Sequence, residues 1–461
     1  MYALNTLVGP EIGELLAQRR FDQLRAALLD LEPADVADLV EGLAVDQAAL
    51  VFRLLPRDLA TEVFSHLDSE RQQNLIATLG TERVAALINE LDPDDRTALL
   101  EELPAEVAQR LIALLTPSER SVTQAILGYP EESVGRLMTP DYVRVKAEWT
   151  IARALAHIRK YGRDAETVDV IYVVDEHGQL IDDLRIRQFL LADPEQTIES
   201  LMDRKFIALA ATDDREEAVR RLHHYDCTAL PVTDSRGMLV GIVTFDDVAD
   251  VAEEEATEDI QKMGGMEALD APYLDSGIGE MLRKRAGWLS VLFVGQMLTA
   301  TAMGYFQGEI ERALVLALFL PLIISSGGNA GSQATSLVIR AMAVGEVSLK
   351  DWWRVLRREL FTGVTLGLWL GLIGVARVVF WPDHANLYGE HYLLLGIAVG
   401  ASTVGVVTFG AFAGSMLPFA LRVFGLDPAA ASAPFVATVV DVTGVVIYFT
   451  VAAVLLRGTL L

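Results

Sequence analysis

Leucine returns every 12 residues through the first part of the chain, at Leu31, Leu43, Leu55, Leu67, Leu79, Leu91, Leu103, Leu115 and Leu127. Most of these leucines are followed within three residues by a helix stopper or cap, such as Pro33, Asp46, Pro56, Asp68, Gly80, Pro93, Pro104, Pro117 or Gly128. The spacing predicts short helices of about two turns, each ended by a turn and packed on its neighbours as a helical solenoid. A plain helical bundle is the alternative. Near Leu137 the pattern changes to strands alternating with helices, and it does so twice. Leu137-Met138-Thr139-Pro140 is echoed by Leu201-Met202 at an offset of 64, and IYVVDEHGQL (171–180) by ALPVTDSRGML (229–239). Each copy has a short lead, an amphipathic helix (ARALAHIRK, then REEAVRRLHH), a buried strand, an Asp-x-x-Gly turn and a second strand.

After Gly287 the polar positions thin out. Five segments, near 288–308, 313–341, 360–381, 391–420 and 433–456, are long enough to span about 30 Å of hydrocarbon. The expected fold class is multidomain. An all-α helical solenoid N domain occupies 1–130, and a tandem α/β pair 131–250, with copies at about 137–195 and 200–250. An acidic connecting helix and linker follows over 251–285, then an α-helical transmembrane domain of five spans over 286–461. Arg283, Lys284 and Arg285 precede the first span, Arg340, Lys350, Arg354, Arg357 and Arg358 lie between the second and third, and Arg422 precedes the fifth. The other loops, QGEIER and the WPDHANLYGEH region, carry little positive charge. The positive-inside rule therefore puts the soluble part in the cytosol and the C-terminus outside, in a multi-pass protein of the cell (plasma) membrane.

Charge divides the chain in the same way. The first 281 residues hold 55 of the 64 acidic and 26 of the 38 basic residues, a net of −29, and the remainder carries +3. So acidic a soluble part disfavours nucleic acid and anionic lipid headgroups and favours cations; a solvated surface kept for solubility would account for most of these carboxylates. Cys227 is the only cysteine, so neither an intrachain disulfide nor a thiolate metal cluster is expected. The opening MYALNTLVGPEIGELL does not resemble a secretory signal. No nucleophile-base pair points to an enzyme, and His223-His224 reads as an exposed helix end.

Three stretches carry candidate chemistry. ISSGGNAGSQ (324–333) sets Ser325, Ser326, Asn329 and Gln333 at membrane depth. Pro321 can bend this span, and Gly327, Gly328 and Gly331 allow close backbone approach or local unwinding, which is tolerated there only against protein or a water-filled cavity. In the fifth span Asp441 stands near the middle of an apolar helix, with Thr438 and Thr443 close by. Facing lipid it would cost at least about 2.5 kcal/mol, so it should meet an aqueous path or a partner; a protonated, hydrogen-bonded Asp is the alternative. Finally, DVADVAEEEATEDIQKM gathers like charges at helical neighbours, a repulsion of about 0.2–0.5 kcal/mol per pair. It is either an exposed linker or an element that responds to divalent cations.

The tandem pair resembles CBS domains, most specifically in LPVTDSRGMLVGIVTFDDVADV. In that family the Gly-hydrophobic-hydrophobic-Thr-x-x-Asp ending, here Gly241 to Asp247, can hold the ribose of an adenosine nucleotide such as ATP through Thr244 and Asp247. The first copy departs from it, because IDDLRIRQFL puts Asp182 and Asp183 where Gly and a hydrophobic residue are expected. A structural or ion-sensing pair is the competing reading. Together, LMTP, EATEDI, PLIISSGGNAGSQATSLVIRAMAVGEV and LDPAAASAPFVATVVDVTGVVIYF resemble the MgtE family of magnesium channels over nearly the whole chain.

That resemblance implies a homodimer with a pore on its two-fold axis, lined by the second and fifth spans. Asp441 would capture Mg²⁺, and Asn329, Gly327, Gly328 and Thr438 would line the path. It also implies that cytosolic Mg²⁺ bridges carboxylates and shuts the pore when Mg²⁺ is high. The matching positions are Asp94 and Asp95 in the N domain, Asp214, Asp226, Asp246, Asp247 and Asp250 in the second CBS copy, and Glu254, Glu255, Glu258 and Asp259 in the connecting helix. Choice among Mg²⁺, Co²⁺, Ni²⁺ and Mn²⁺ is left open. The competitors are a proton- or sodium-coupled divalent-cation transporter and an adenine-nucleotide receptor with a passive membrane anchor.

Overall fold

The computed structural model describes residues 12–269, 273, 276–382, 387–457 and 459. They form two compact units, one ending at Ala252 and the other beginning at Glu253. In the first unit, helices of nine or ten residues follow one another from Phe21–Leu29 to Pro117–Ile126. The repeating leucines do not sit inside these helices. Leu55, Leu79, Leu91, Leu103 and Leu115 are C-cap residues with extended backbone, and each is buried. The chain leaves the helix at the leucine, turns its side chain into the core, and starts the next helix a residue or two later. Each such burial contributes about 1.5–3 kcal/mol. The restarts use polar caps, as where Asp68 accepts from Arg71 N at 2.8 Å, or proline in the first turn at Pro33, Pro93 and Pro117, where the missing N–H costs nothing. Alternate helices pack together, Pro33–Glu41 on Arg57–Ser65 and Val45–Leu54 on Ser69–Thr78. This is the stacking of a solenoid rather than of a bundle.

The tandem pair forms two three-stranded sheets of the same design. Strands Tyr142–Lys146, Thr167–Val174 and Leu180–Arg185 lie in that order, parallel then antiparallel, and so do Leu209–Ala210, Ala229–Thr233 and Leu239–Thr244. The leads are exchanged between the copies. Val134 and Met138 pack with Leu209, Leu222 and Leu230 of the second copy; Ile198 and Met202 pack with Val143, Ile151 and Phe189 of the first. Thr139 also exchanges two backbone hydrogen bonds of 2.9 Å with Ile242. The fully buried Asp182 accepts from the backbone N–H groups of Asp203 and Arg204, each at 3.0 Å, so it pins the segment that enters the second copy.

Five helices of the second unit are long and apolar enough to cross a membrane: Ile278–Tyr305, Leu314–Ala343, Leu349–Val379, Tyr392–Val423 and Ala433–Leu456. The fourth touches the second, third and fifth, and the first lies against the fifth. Glycines set the spacing. A methyl added at Gly367 would meet the backbone of Val404, and one at Gly371 the backbone of Gly400, the close approach expected where small residues line a membrane interface. The second span opens with a 3₁₀ turn over Leu314–Phe319, and its α-helix, Leu320–Ala343, begins with Pro321 in the first turn. Pro321 therefore starts the helix instead of bending it. The helix then continues unbroken through Gly327, Gly328 and Gly331, so these glycines serve close packing and not unwinding.

Candidate ion pathway and carboxylate cluster

Ser432 caps the fifth span by accepting from Phe435 N and also accepts from Trp288 Nε1 of the first span at 3.1 Å. From this fixed start Asp441 lies about 12 Å along the helix axis, at 1.5 Å per residue. There the first, second and fifth spans line an open cavity of about 580 Å³, whose polar side chains are Gln296, Thr299, Ser325, Asn329, Ser332 and Asp441. Gln296 Nε2 donates to Asp441 Oδ2 at 2.7 Å. Gly328 lines the same space. Gly327 faces Val406 and Val440 instead, and Thr438 lies against Gly295 of the first span. The hydroxyls of Thr438 and Thr443 donate to their own helix, to Pro434 O and Val439 O, which leaves the carboxylate as the anionic group of the wall.

A second concentration of carboxylates lies in the first unit, where the starts of two helices meet. Asp94 and Asp95 are in the first turn of Pro93–Glu102, and Asp246 and Asp247 in the first turn of Phe245–Met263. The positive ends of the two helix dipoles favour anions there, but not enough to offset the crowding. Burial, then repulsion from Asp247, Asp95 and Glu166, raises Asp94 well above the carboxylate range. Burial, then Asp92, Asp246 and Asp250, pushes Asp95 up to about 6, against a lowering influence of His66. Burial raises Asp247 to about 7 although Thr244 donates to it at 2.6 Å. Glu166, on the first CBS-like copy, reaches about 7 through burial, then Asp92, Asp247 and Asp246. Asp141 is raised by burial, then by Glu119 and Asp92. Arg96 is nearby but is committed to Glu119 at 2.7 Å. Asp94 Oδ1 is buried with no hydrogen-bond partner among the described residues.

Other expected ligands stand elsewhere. Asp214 caps the start of Arg215–Tyr225, and Asp226 ends that helix in the left-handed conformation, so the two are a helix length apart. Further along Phe245–Met263, Glu254 is exposed and Glu255, Glu258 and Asp259 are half-buried; Glu258 pairs with Lys262, which also reaches Asp427 at 2.8 Å. Among the described residues, no three His, Cys, Asp or Glu side chains stand close enough to form a ready metal site. The cluster holds repelling acids, not a closed coordination shell.

Comparison with known proteins decides the family. A magnesium transporter MgtE of Thermus thermophilus is 41% identical over 450 residues, covering 97% of this chain and 98% of that protein. The chain belongs to the MgtE family. A Bacillus subtilis magnesium transporter MgtE is 29% identical over 96% of both chains. Profiles match an MgtE intracellular N domain at 31–132, CBS domains at 134–193 and 198–254, and an MgtE divalent cation transporter domain at 320–451. The solved cytosolic domain of the Mg²⁺ channel MgtE in complex with ATP is 38% identical, with a TM-score of 0.51, and covers 52% of this chain and 98% of that one.

Within this MgtE chain, sequence reasoning missed Gln296, Thr299 and Ser332 at the cavity and Asp92, Asp141 and Glu166 in the carboxylate cluster. A lone glutamine in an apolar span was a usable signal for Gln296. The three acids had none, because they are scattered through ordinary polar loops and only the fold gathers them.

Proposed function

We propose that this chain forms a Mg²⁺-selective channel through the membrane, and that cytosolic Mg²⁺ shuts it by settling among the carboxylates of the soluble part, giving magnesium homeostasis. The observation that carries the reading is Asp441, a carboxylate at membrane depth on the wall of an open cavity that also carries Ser325, Asn329 and Ser332. Mg²⁺ gives up its waters reluctantly and is usually held by one or two carboxylates with several waters kept. A cavity of this size with one acid and the polar side chains of Ser325 and Asn329 suits a hydrated ion touched through its water.

Regulation follows from the crowded acids. With Mg²⁺ scarce, Asp94, Asp95, Glu166, Asp246, Asp247 and Asp250 repel one another. A divalent cation among them, bridging through water or directly, turns that repulsion into attraction. The helix Phe245–Met263 starts in this cluster and runs on to Lys262 beside Asp427, so it is the element through which the change would reach the pore. Asp214, Asp226, Glu254, Glu255, Glu258 and Asp259 belong to the wider field that a cation would neutralise. ATP bound to a solved relative supports a nucleotide near Thr244 and Asp247, accompanied by cations because Asp247 stands among acids. The family likeness and the exposed apolar face of the first span, with Phe293 66% and Val294 62% exposed, support a homodimer in the cell (plasma) membrane, and the basic loops at 283–285 and 340–358 support a C-terminus outside.

Reconstituted full-length protein tests the pathway. Mg²⁺ should enter vesicles without any proton or sodium gradient, and Asp441→Ala should abolish that entry while the protein stays folded. Uptake that requires a coupled gradient would replace the channel with a transporter.

A further inference from the structure

The geometry points to Gln296 as a positioning residue that decides which part of the Asp441 carboxylate the passing ion meets, an inference that rests on the Mg²⁺ pathway proposed above. Between Leu289 and Leu298 of the first span, Gln296 is the only polar side chain besides Ser290. A carboxamide at this depth is costly unless it is bonded, and Gln296 is bonded to Asp441 Oδ2 at 2.7 Å. Its neighbour Gly295 makes this possible. A methyl there would stand 2.8 Å from Thr438 Cγ2 of the fifth span, so only glycine lets the two helices approach closely enough for the carboxamide to reach the acid one turn further on.

Among the described residues, the bond leaves Asp441 Oδ1 accepting no hydrogen bond, while Asn329 and Ser325 stand on the same wall. One oxygen held in one orientation can receive a water of hydrated Mg²⁺. It cannot clasp a bare ion with both oxygens, the mode in which Ca²⁺, larger and more readily stripped of water, often takes carboxylates. Gln296 thus favours Mg²⁺ over Ca²⁺ by keeping Oδ2 occupied.

The test uses the full-length chain in vesicles at matched protein content, with influx of Mg²⁺ and of Ca²⁺ measured separately for wild type, Gln296→Leu, Gln296→Met and Asp441→Ala. The expected result is that Mg²⁺ influx falls more than Ca²⁺ influx in both Gln296 variants, so that their Ca²⁺-to-Mg²⁺ ratio rises about tenfold, the scale of one lost hydrogen bond to a charged group. Methionine keeps the length of glutamine, so it reports even if leucine packs badly. An unchanged ratio in a folded variant overturns the inference and leaves the pathway standing. Failure of both variants to fold also overturns it, because Gln296 would then be a packing residue. If Asp441→Ala conducts like wild type, the pathway reading falls and the inference falls with it.

Discussion

The Lys262 ammonium stands between two carboxylates, 2.8 Å from Asp427 Oδ2 and also paired with Glu258 one turn earlier on its own helix. Burial works against its charge, but the hydrogen bonds it donates to Asp427 and Glu258 hold Lys262 above the usual lysine range. The chain thereby carries its own cation where the acidic helix meets the loop before the fifth span.

Removing that cation should make the junction depend on an external one. Lys262→Met leaves Glu258 and Asp427 facing each other, and we expect the cytosolic Mg²⁺ needed for half-closure to rise severalfold while maximal flux is kept. A Mg²⁺ titration of flux measures this; an unchanged midpoint would show that the lysine bridge plays no part in closure.

The pH dependence of the soluble part follows from the acids near Asp95. Asp95, Glu166 and Asp247 have folded values of about 6, 7 and 7, above their ordinary ones. The folded state therefore binds more protons than the unfolded state in this window. The stabilisation is complete below about pH 4 and is lost as pH rises through about 6 to 7. Thermal unfolding of the cytosolic part should move to lower temperature between about pH 5 and pH 8, and millimolar Mg²⁺ should restore it at the higher pH with little effect at the lower. A stabilising effect of Mg²⁺ that is equal at both would separate the cation from these groups.

Packing between the second and fourth spans has no room for a methyl group. One added at Gly410 would collide with the carbonyl oxygen of Gly327, and one at Gly331 would stand 3.0 Å from the carbonyl oxygen of Gly410. Gly410→Ala should destabilise the membrane unit by about 1–3 kcal/mol, seen as a lower unfolding temperature in detergent. Gly304→Ala, with nothing within reach of the added methyl, is the matched control.

Asp182 departs from the CBS pattern for a structural reason. Its carboxylate holds the Asp203 and Arg204 amides, and Arg204 has a positive φ of 57°. Asp182→Ala would remove the acceptor of the Asp203 and Arg204 amides, a cost of about 0.5–1.5 kcal/mol per bond, and should speed hydrogen exchange across 203–206 before it affects ion flux.

What the sequence disclosed was periodic. The 12-residue leucines and the apolar runs announced the solenoid and the spans, because burial repeats with the structure that creates it. Contacts that cross the repeat were not legible. The exchange of leads between the CBS copies leaves each local pattern intact, so Met138 looked like part of the copy it precedes. Glu166 and Asp141 reach the acid cluster through strand order, and ISSGGNAGSQ fitted both unwinding and close packing until Val406 and Gly410 were seen against it.

The central claim is a Mg²⁺ path through Asp441 that cytosolic Mg²⁺ closes. Its most direct test is Mg²⁺ current across excised membrane patches as the cytosolic face moves from nominally zero to millimolar Mg²⁺, for wild type and Asp441→Ala. Current that flows at low Mg²⁺, shuts at high Mg²⁺ and is missing from the variant is the predicted result. Current in wild type that ignores cytosolic Mg²⁺, or that survives in Asp441→Ala, would contradict it.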